Sequence, residues 1–301
     1  MRDAAARTAG LPATPLVAAG PGAWLKLETL QPTGSFKVRG FTNAVALLSP
    51  AERRAGIVTV SAGNAALAAA YVARENDIPC KVVMFDTAPP PKRVGVERLG
   101  AEVIAMPRIK VLDWMALRGY ESMAETFIHP FANEAVMAGH ASLGLELAEQ
   151  LPGLTRVVVP VGGGGLIVGI ASGLAAAGRD VEVVGVQSDG YDLWVRTMAE
   201  GTAPALTPAT IADGTAGPDQ ADMHARLAGA VDRWLTVPEG RLRRAVAELA
   251  TNHRVVAEGA GALGFAGAME LADPLTATVG VVSGGNIDPR LLAALLQEAN
   301  A

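Results

Sequence analysis

Cysteine is nearly missing: Cys80 is the only one among 301 residues. That excludes an intramolecular disulfide and a cysteine-rich zinc site. Cys80 opens the apolar run Cys80, Val82, Val83, Met84, Phe85 and therefore reads as a small core residue. Charge is sparse as well, at 18% of residues with a net charge of -5, and lysine and arginine nowhere form a run. The basic surface that a nucleic-acid binder needs is therefore absent. The opening residues MRDAAARTAGLPATPL hold no unbroken apolar stretch of signal-peptide length. One uncharged stretch, residues 157–178, is long enough to span a bilayer. It contains Pro160 and four consecutive glycines, each costing a helix about 1 kcal/mol relative to alanine. It reads better as a buried strand, a glycine loop and a buried helix. The expectation is a cytoplasmic protein without a membrane partner, its core ample for one large or two modest domains.

What the chain does hold is a regular alternation of strand and helix patterns. Residues 1–23 read as an irregular lead-in, and 24–28 alternate like a strand. A helical pattern follows Lys37 and ends near Ser49-Pro50. Strands are expected at 57–60, 81–85, 100–104, 156–161, 181–187 and 278–282. Helices are expected at 65–75, from the triple proline Pro89-Pro90-Pro91 to Leu99, and at 111–125, 134–150, 166–177, 238–252, 259–271 and 288–298. Residues 201–222, rich in Pro, Thr, Gly and Ala, read as a loop. No repeat or low-complexity tail is visible. Several strands are apolar without alternation, the mark of parallel sheets buried on both faces.

Ligands of such sheets bind where strands run into loops. Four places stand out. Gly162, Gly163, Gly164 and Gly165 follow an apolar strand and precede a helix, so their amides can curl around a phosphate with a helix dipole behind them. The spacing matches neither the dinucleotide fingerprint nor a P-loop. Ser61, Ala62, Gly63 and Asn64 also link a strand to a helix and read as an anion-binding loop or as an ordinary serine cap. Ser283-Gly284-Gly285-Asn286 closes the last strand in the same style. Lys37, in Pro32-Thr33-Gly34-Ser35-Phe36-Lys37-Val38-Arg39-Gly40, begins a helix among apolar neighbours. Desolvation and the helix dipole both push such an amine toward neutrality, which makes it a usable nucleophile. A Schiff-base amine, a phosphate cup and polar ring contacts together suggest pyridoxal phosphate.

The motifs PTGSFKVRG, SAGN, TAPPPKR, GAEVI, FIHPFANEAVMAG, VPVGGGGLIVGI, TIADG, EGAGA and SGGNID, in this order from about Thr14 to the C-terminus, resemble the threonine/serine dehydratase and serine racemase family. These are fold-type II pyridoxal 5'-phosphate enzymes. The resemblance implies an α/β fold of the tryptophan synthase β-like type, with two open, twisted, mostly parallel sheets flanked by helices. It implies a large domain (1–55 and 134–301), a small mobile domain (56–133) and a homodimer. By the same resemblance Lys37 would hold the cofactor as a Schiff base and shuttle the α-proton. Phe36 would flank the ring, Asn64 would meet its hydroxyl and Ser283 its nitrogen. Gly162, Gly163, Gly164 and Gly165 would hold the phosphate. Ser61, Ala62, Gly63 and Asn64 would hold the substrate carboxylate. Glu258 would lie near the ring, or else be an exposed helix-start glutamate. The implied reaction releases ammonia and a 2-oxo acid from a β-hydroxy amino acid such as threonine or serine. Another β-elimination or replacement, a racemase and a non-catalytic cofactor-binding protein are the alternatives.

Some positions depart from the family pattern. Ala62 stands where racemases carry a second serine, which disfavours racemisation. Ala65 stands where most members carry histidine. Gly139-His140-Ala141 replaces the usual GQG, and His140 is expected on a helix surface, with replacement of a lost polar contact as the alternative. His129 is expected to be structural. The positions of the acidic ligands found in metal-activated members fall on Gln187 and about Leu193, with Asp189 and Asp192 out of register, so no tight metal site is expected.

Overall fold

Valine-rich segments without polar residues have to be covered on both faces. The computed structural model, which describes residues 1–88 and 90–299, places them at the centres of two sheets. In chain order the elements are α1 (Arg2–Thr8), β1 (Leu16–Gly20), β2 (Ala23–Leu27), α2 (Lys37–Ala46), α3 (Pro50–Ala55), β3 (Ile57–Val60), α4 (Asn64–Glu75), β4 (Cys80–Phe85), α5 (Pro90–Glu97), β5 (Glu102–Met106), α6 (Arg108–Ala116), β6 (Thr126–Phe127) and α7 (Glu134–Gln150). They continue with β7 (Arg156–Pro160), α8 (Gly165–Ala176), β8 (Glu182–Ser188), α9 (Leu193–Glu200), α10 (Ala221–Ala230), β9 (Arg233–Val237), α11 (Glu239–Asn252), α12 (Gly259–Leu271), β10 (Thr278–Val282) and α13 (Pro289–Glu298). Of the triple proline, Pro89 lies outside the described residues.

The larger sheet has the order β1-β2-β10-β7-β8-β9 and is parallel except for the β1–β2 pair. The smaller runs β5-β4-β3-β6 and is parallel throughout. In β7 and β10 successive side chains face opposite layers, as the period of two demands. Val157, Val159, Val279 and Val281 pack with Leu143 of α7 and Ile167 and Ile170 of α8. Val158 and Val282 pack with Leu242 and Val246 of α11 and Leu263 of α12. α12 lies so close to β10 that a Cβ on Gly264 would fall 2.2 Å from Val281 O. In the smaller sheet, the alanine face of α4 covers Ile57, Val82 and Met84, while Val58 and Val83 meet Val111 of α6. Cys80 is buried in the first of these layers. Among the described residues no helix is long and apolar enough to cross a membrane.

Three sequence expectations change. The lead-in is not irregular, since it contains α1 and β1. The seven-residue α1 is too short to hold by itself and is stabilised by docking: Ala4 and Thr8 are buried, and Arg7 Nε donates to Asn43 Oδ1 of α2 at 2.7 Å. β1 turns back on β2 through Pro21-Gly22, where Gly22 has φ +70°. The helix expected at 111–125 stops at Ala116, and left-handed Arg118 leads into a 3-10 turn and β6. α10 begins at Ala221, inside the loop expected at 201–222, and α10 and β9 run on through 223–237, which, like α3 and α9, lie where the sequence reading assigns no element.

Behind α2 lies a buried ionic cluster. Arg39 donates to both oxygens of Glu28 (2.7 and 3.0 Å) and both of Glu146 (2.5 and 3.0 Å). Lys26 Nζ donates to Glu146 Oε2, Gln150 Oε1 and Thr14 O at 2.7–2.8 Å. Lys26, Glu28 and Arg39 are at most 1% exposed, whereas Glu146 reaches solvent at its edge. Burial lowers the Lys26 amine below its ordinary range against the pull of Glu146. Two cations and two anions are paired, and the cluster clamps α2 to β2 and α7.

Candidate active site

Lys37 is the first residue of α2. The preceding turn closes through Gly34 N to Gln31 O at 2.8 Å, with Gly34 at φ +70°. It is then stitched to the loop after β10: Phe36 N donates to Ser283 O at 3.0 Å and Gly285 N to Gly34 O at 2.9 Å. Two loops singled out separately in the sequence are therefore one structure. Ser283 is buried at the end of β10. Lys37 Nζ donates to Pro130 O at 2.8 Å and lies 5.0 Å from the Phe36 ring centroid. Burial lowers the amine pKa to about 8, with Glu258 pulling the other way.

The glycine loop meets the same neighbourhood through Phe131. A Cβ on Gly163 would sit 2.2 Å from the Phe131 ring, one on Gly165 2.7 Å from Phe131 O, and one on Gly162 2.8 Å from Gly214 O. Trp194 Nε1 donates to Gly162 O at 2.6 Å, and Gly164 takes φ +83° just before α8. None of the amides of Gly162, Gly163 and Gly164 donates a hydrogen bond to another described residue. Unspent amides at the positive end of a twelve-residue helix suit a phosphate. His129 shapes this junction: its Nδ1 accepts from Phe131 N and Ala132 N at 3.3 and 3.0 Å. Burial, then the Lys37 charge, lowers its pKa to about 4, so it stays neutral.

On the other side, Ser61 Oγ accepts from Gly63 N at 3.0 Å, closing the loop before α4. A Cβ on Gly63 would meet nothing within 4 Å, and Ala62 is half-buried. Asn64 reaches across to the larger sheet, where its Nδ2 donates to Glu258 Oε1 at 2.5 Å. Glu258 is not an exposed helix-start residue. It is 9% exposed, occupies the N-cap position of α12 without a side-chain capping bond, and donates its own amide to Gly284 O at 3.1 Å. Burial raises its carboxyl to about 7, against the Asn64 hydrogen bond. A carboxyl raised above its ordinary value of 4.5 favours the fold below that value and loses this contribution as pH rises through about 7. In the cofactor-free protein Glu258→Gln should therefore gain stability over the wild type between pH 5 and pH 8, by at most about 3 kcal/mol. Equal differences in thermal midpoint at the two pH values would contradict this.

The structure corrects the surface placement of His140. It is wholly buried in α7, because α2 and α8 cover both flanks at glycines. A Cβ on Gly40 would lie 2.6 Å from His140 Cε1, and one on Gly169 2.6 Å from its Cβ. The ring meets Phe36 edge-on at 4.9 Å, and neither nitrogen has a partner among the described residues. Burial, then Lys37 and Arg39, hold it well below 6.5 and therefore neutral. Ala65 is a core residue of α4. Gln187 bonds Trp194 N and Val161 O, Asp189 accepts from Glu239 N, and Asp192 pairs with Arg196. Among the described residues there is no cluster of three metal-binding side chains. The sequence reading gave no role to Pro130, Phe131 or the side chain of Asn286, although all three lie within its quoted motifs.

A family model described as pyridoxal-phosphate dependent enzyme matches residues 4–284. An L-threonine ammonia-lyase of Thermotoga maritima is 39% identical over 279 residues, covering 91% of this chain and 70% of the relative. A catabolic L-threonine dehydratase of Staphylococcus aureus is 35% identical over 88% of this chain and 79% of its own length. The structure of maize serine racemase superposes with a TM-score of 0.89 at 28% identity, covering 99% of this chain and 95% of the other.

Proposed function

Since the chain belongs to the family of pyridoxal-phosphate-dependent enzymes, matched over residues 4–284, we propose that it is an ammonia-lyase releasing ammonia and a 2-oxo acid from a 3-hydroxy amino acid of the threonine or serine type. The observation that carries this reading is the Lys37 amine. It is lowered to about 8 by burial, held by Pro130 O next to the Phe131 that packs on Gly163, and drawn by the charge of Glu258, which Asn64 bonds. The curated relatives, named for threonine, support the substrate class.

The residues fit the cofactor. The amides of Gly162, Gly163, Gly164 and Gly165 would hold its phosphate, Phe36 would flank its ring, Ser283 would meet the ring nitrogen and Asn64 the ring hydroxyl. When bound, pyridoxal phosphate supplies an aldehyde for amine capture and a sink for the electron pair left at the α-carbon. Lys37 would hold the cofactor through its amine and, once freed, would take the α-proton as general base. Ser61, Ala62, Gly63 and Asn64 grip the α-carboxylate from the start of α4. The β-hydroxyl departs from the carbon next to the one that Lys37 deprotonates. Alanine at 62 can neither give nor take a proton, so nothing at that position supports inversion. Residues 56–133, which carry the smaller sheet, are the domain that moves over the cleft. The family resemblance supports a cytoplasmic location and a homodimer, and light scattering on the 30.8 kDa chain tests the second.

The deciding assay measures ammonia and 2-oxo acid release from a panel of 3-hydroxy amino acids, with and without a chelator. Turnover of at least one substrate, unchanged by chelation, is expected. Cofactor binding without release of either product from any substrate would refute the lyase reading.

A further inference from the structure

Thr33, Asn64, Glu258 and Asn286 come from four separate stretches of chain, and one side chain links them. Asn286 Nδ2 donates to Thr33 O at 2.9 Å and to Asn64 Oδ1 at 2.7 Å. Asn64 Nδ2 in turn donates to Glu258 Oε1 at 2.5 Å. A carboxamide has an acceptor on one side and two donors on the other, so its direction has to follow from its partners. Here the sequence of bonds starts from a backbone carbonyl, which only accepts. Thr33 O therefore demands Nδ2 from Asn286. That same nitrogen faces Asn64, which demands Oδ1 from Asn64. The Asn64 donor group is left pointing the other way, toward Glu258 and the cleft.

The room for this arrangement is built in. Gly34 sits at φ +70°, and a Cβ there would fall 2.8 Å from Asn286 Oδ1 and 3.2 Å from Nδ2. Only a residue without a side chain lets the Asn286 amide lie against the turn that carries Lys37. One Asn64 Nδ2 hydrogen goes to Glu258, and the second remains for an oxygen in the cleft.

We propose that Asn286 is a positioning residue that locks the Asn64 carboxamide as a hydrogen-bond donor toward the cofactor ring oxygen, with Gly34 providing the space. This rests on the reading above that Asn64 meets that oxygen. An aspartate at 286 has no hydrogen for Thr33 O and offers Asn64 an acceptor where a donor stood. Asn64 then turns end for end, and its carbonyl oxygen faces both Glu258 and the ring oxygen.

The test uses the holoenzyme and follows the midpoint of the pH titration of its visible absorption, alongside the rate at which cofactor is lost to a carbonyl trap. Asn286 is exposed, so its variants should fold. Losing a donor to an ionised oxygen makes that oxygen more basic, so N64A is expected to raise the midpoint by about one pH unit. N286D should reproduce at least half of that shift and speed cofactor loss about tenfold. N286A, which imposes no wrong acceptor, should fall between N286D and the wild type. The double variant N64A/N286D should move the midpoint no further than N64A does. If N64A moves the midpoint and N286D leaves it in place, the positioning role is overturned, even if N286D lowers the thermal midpoint. If N64A itself leaves the absorption unchanged, the assignment of Asn64 to the cofactor fails, and the inference fails with it.

Discussion

Lys37→Ala is expected to lower ammonia release by at least about 10³-fold, the scale of losing a positioned base that is also the nucleophile. The fold should survive. Lys37 is the first residue of α2, where alanine is a good helix former, and its side chain makes one hydrogen bond, to Pro130 O. Lys37→Arg should lose as much activity, because a guanidinium does not give up its proton in this range. The wild-type amine, lowered to about 8, is increasingly neutral as pH rises toward that value. Cofactor capture by the cofactor-free protein should therefore speed up with pH and level off above about 8. Turnover of Lys37→Ala within tenfold of the wild type would end the proposed mechanism, and a capture rate indifferent to pH would end the account of the amine.

The second large effect belongs to stability. Arg39→Met removes the cation shared by Glu28 and Glu146 and leaves the Glu28 carboxylate, which is 0% exposed, without its ion-pair partner. Breaking a buried pair from one side costs about 3–5 kcal/mol, a fall in thermal midpoint on the order of 10 °C for a chain of this size. Adding Glu28→Gln should recover part of that loss, because the two changes act on one interaction and are not additive. Activity should fall as well, since Arg39 lies two residues beyond Lys37 in the same helix turn. A change below about 1 kcal/mol would show that the cluster is dispensable to the clamp between α2, β2 and α7.

The sequence was most legible where a signal is local. α7 matches its expected span because an apolar run begins behind a side-chain cap, Asn133 Oδ1 accepting from Val136 N. β10 also matches, because five buried residues in a row leave no other reading. The loops carrying Ser61, Gly162 and Ser283 stood out because each follows a strand. What stayed hidden depends on distant partners. His140 looks like a solvent-facing position until α7 is seen wedged between α2 and α8, and Arg39 shows its ion-pair partners only once α7 and Glu28 are in place. Glu258 is buried partly by Asn64, 194 positions away. Pro130 contributes a carbonyl, which any residue has, so its role carries no mark in the sequence. β9 was missed because its outer end is exposed at Arg233 and it lies at a sheet edge, where apolar patterning fades. α1 was missed because docking, rather than composition, holds it.

The burial of Cys80 has a practical consequence. Its thiol is pushed up to about 12 by desolvation, so no appreciable thiolate exists at working pH, and alkylating reagents and mild oxidants should leave it alone. The natural chain is thus a blank background for thiol chemistry. Cysteines placed at Leu117, beyond α6 on the smaller sheet, and at Leu275, in the turn before β10, would be its only reactive thiols, because both side chains stand clear of the surface. A dye pair at those two positions would report the distance between the sheets as substrate arrives and product leaves, with no native cysteine to remove first.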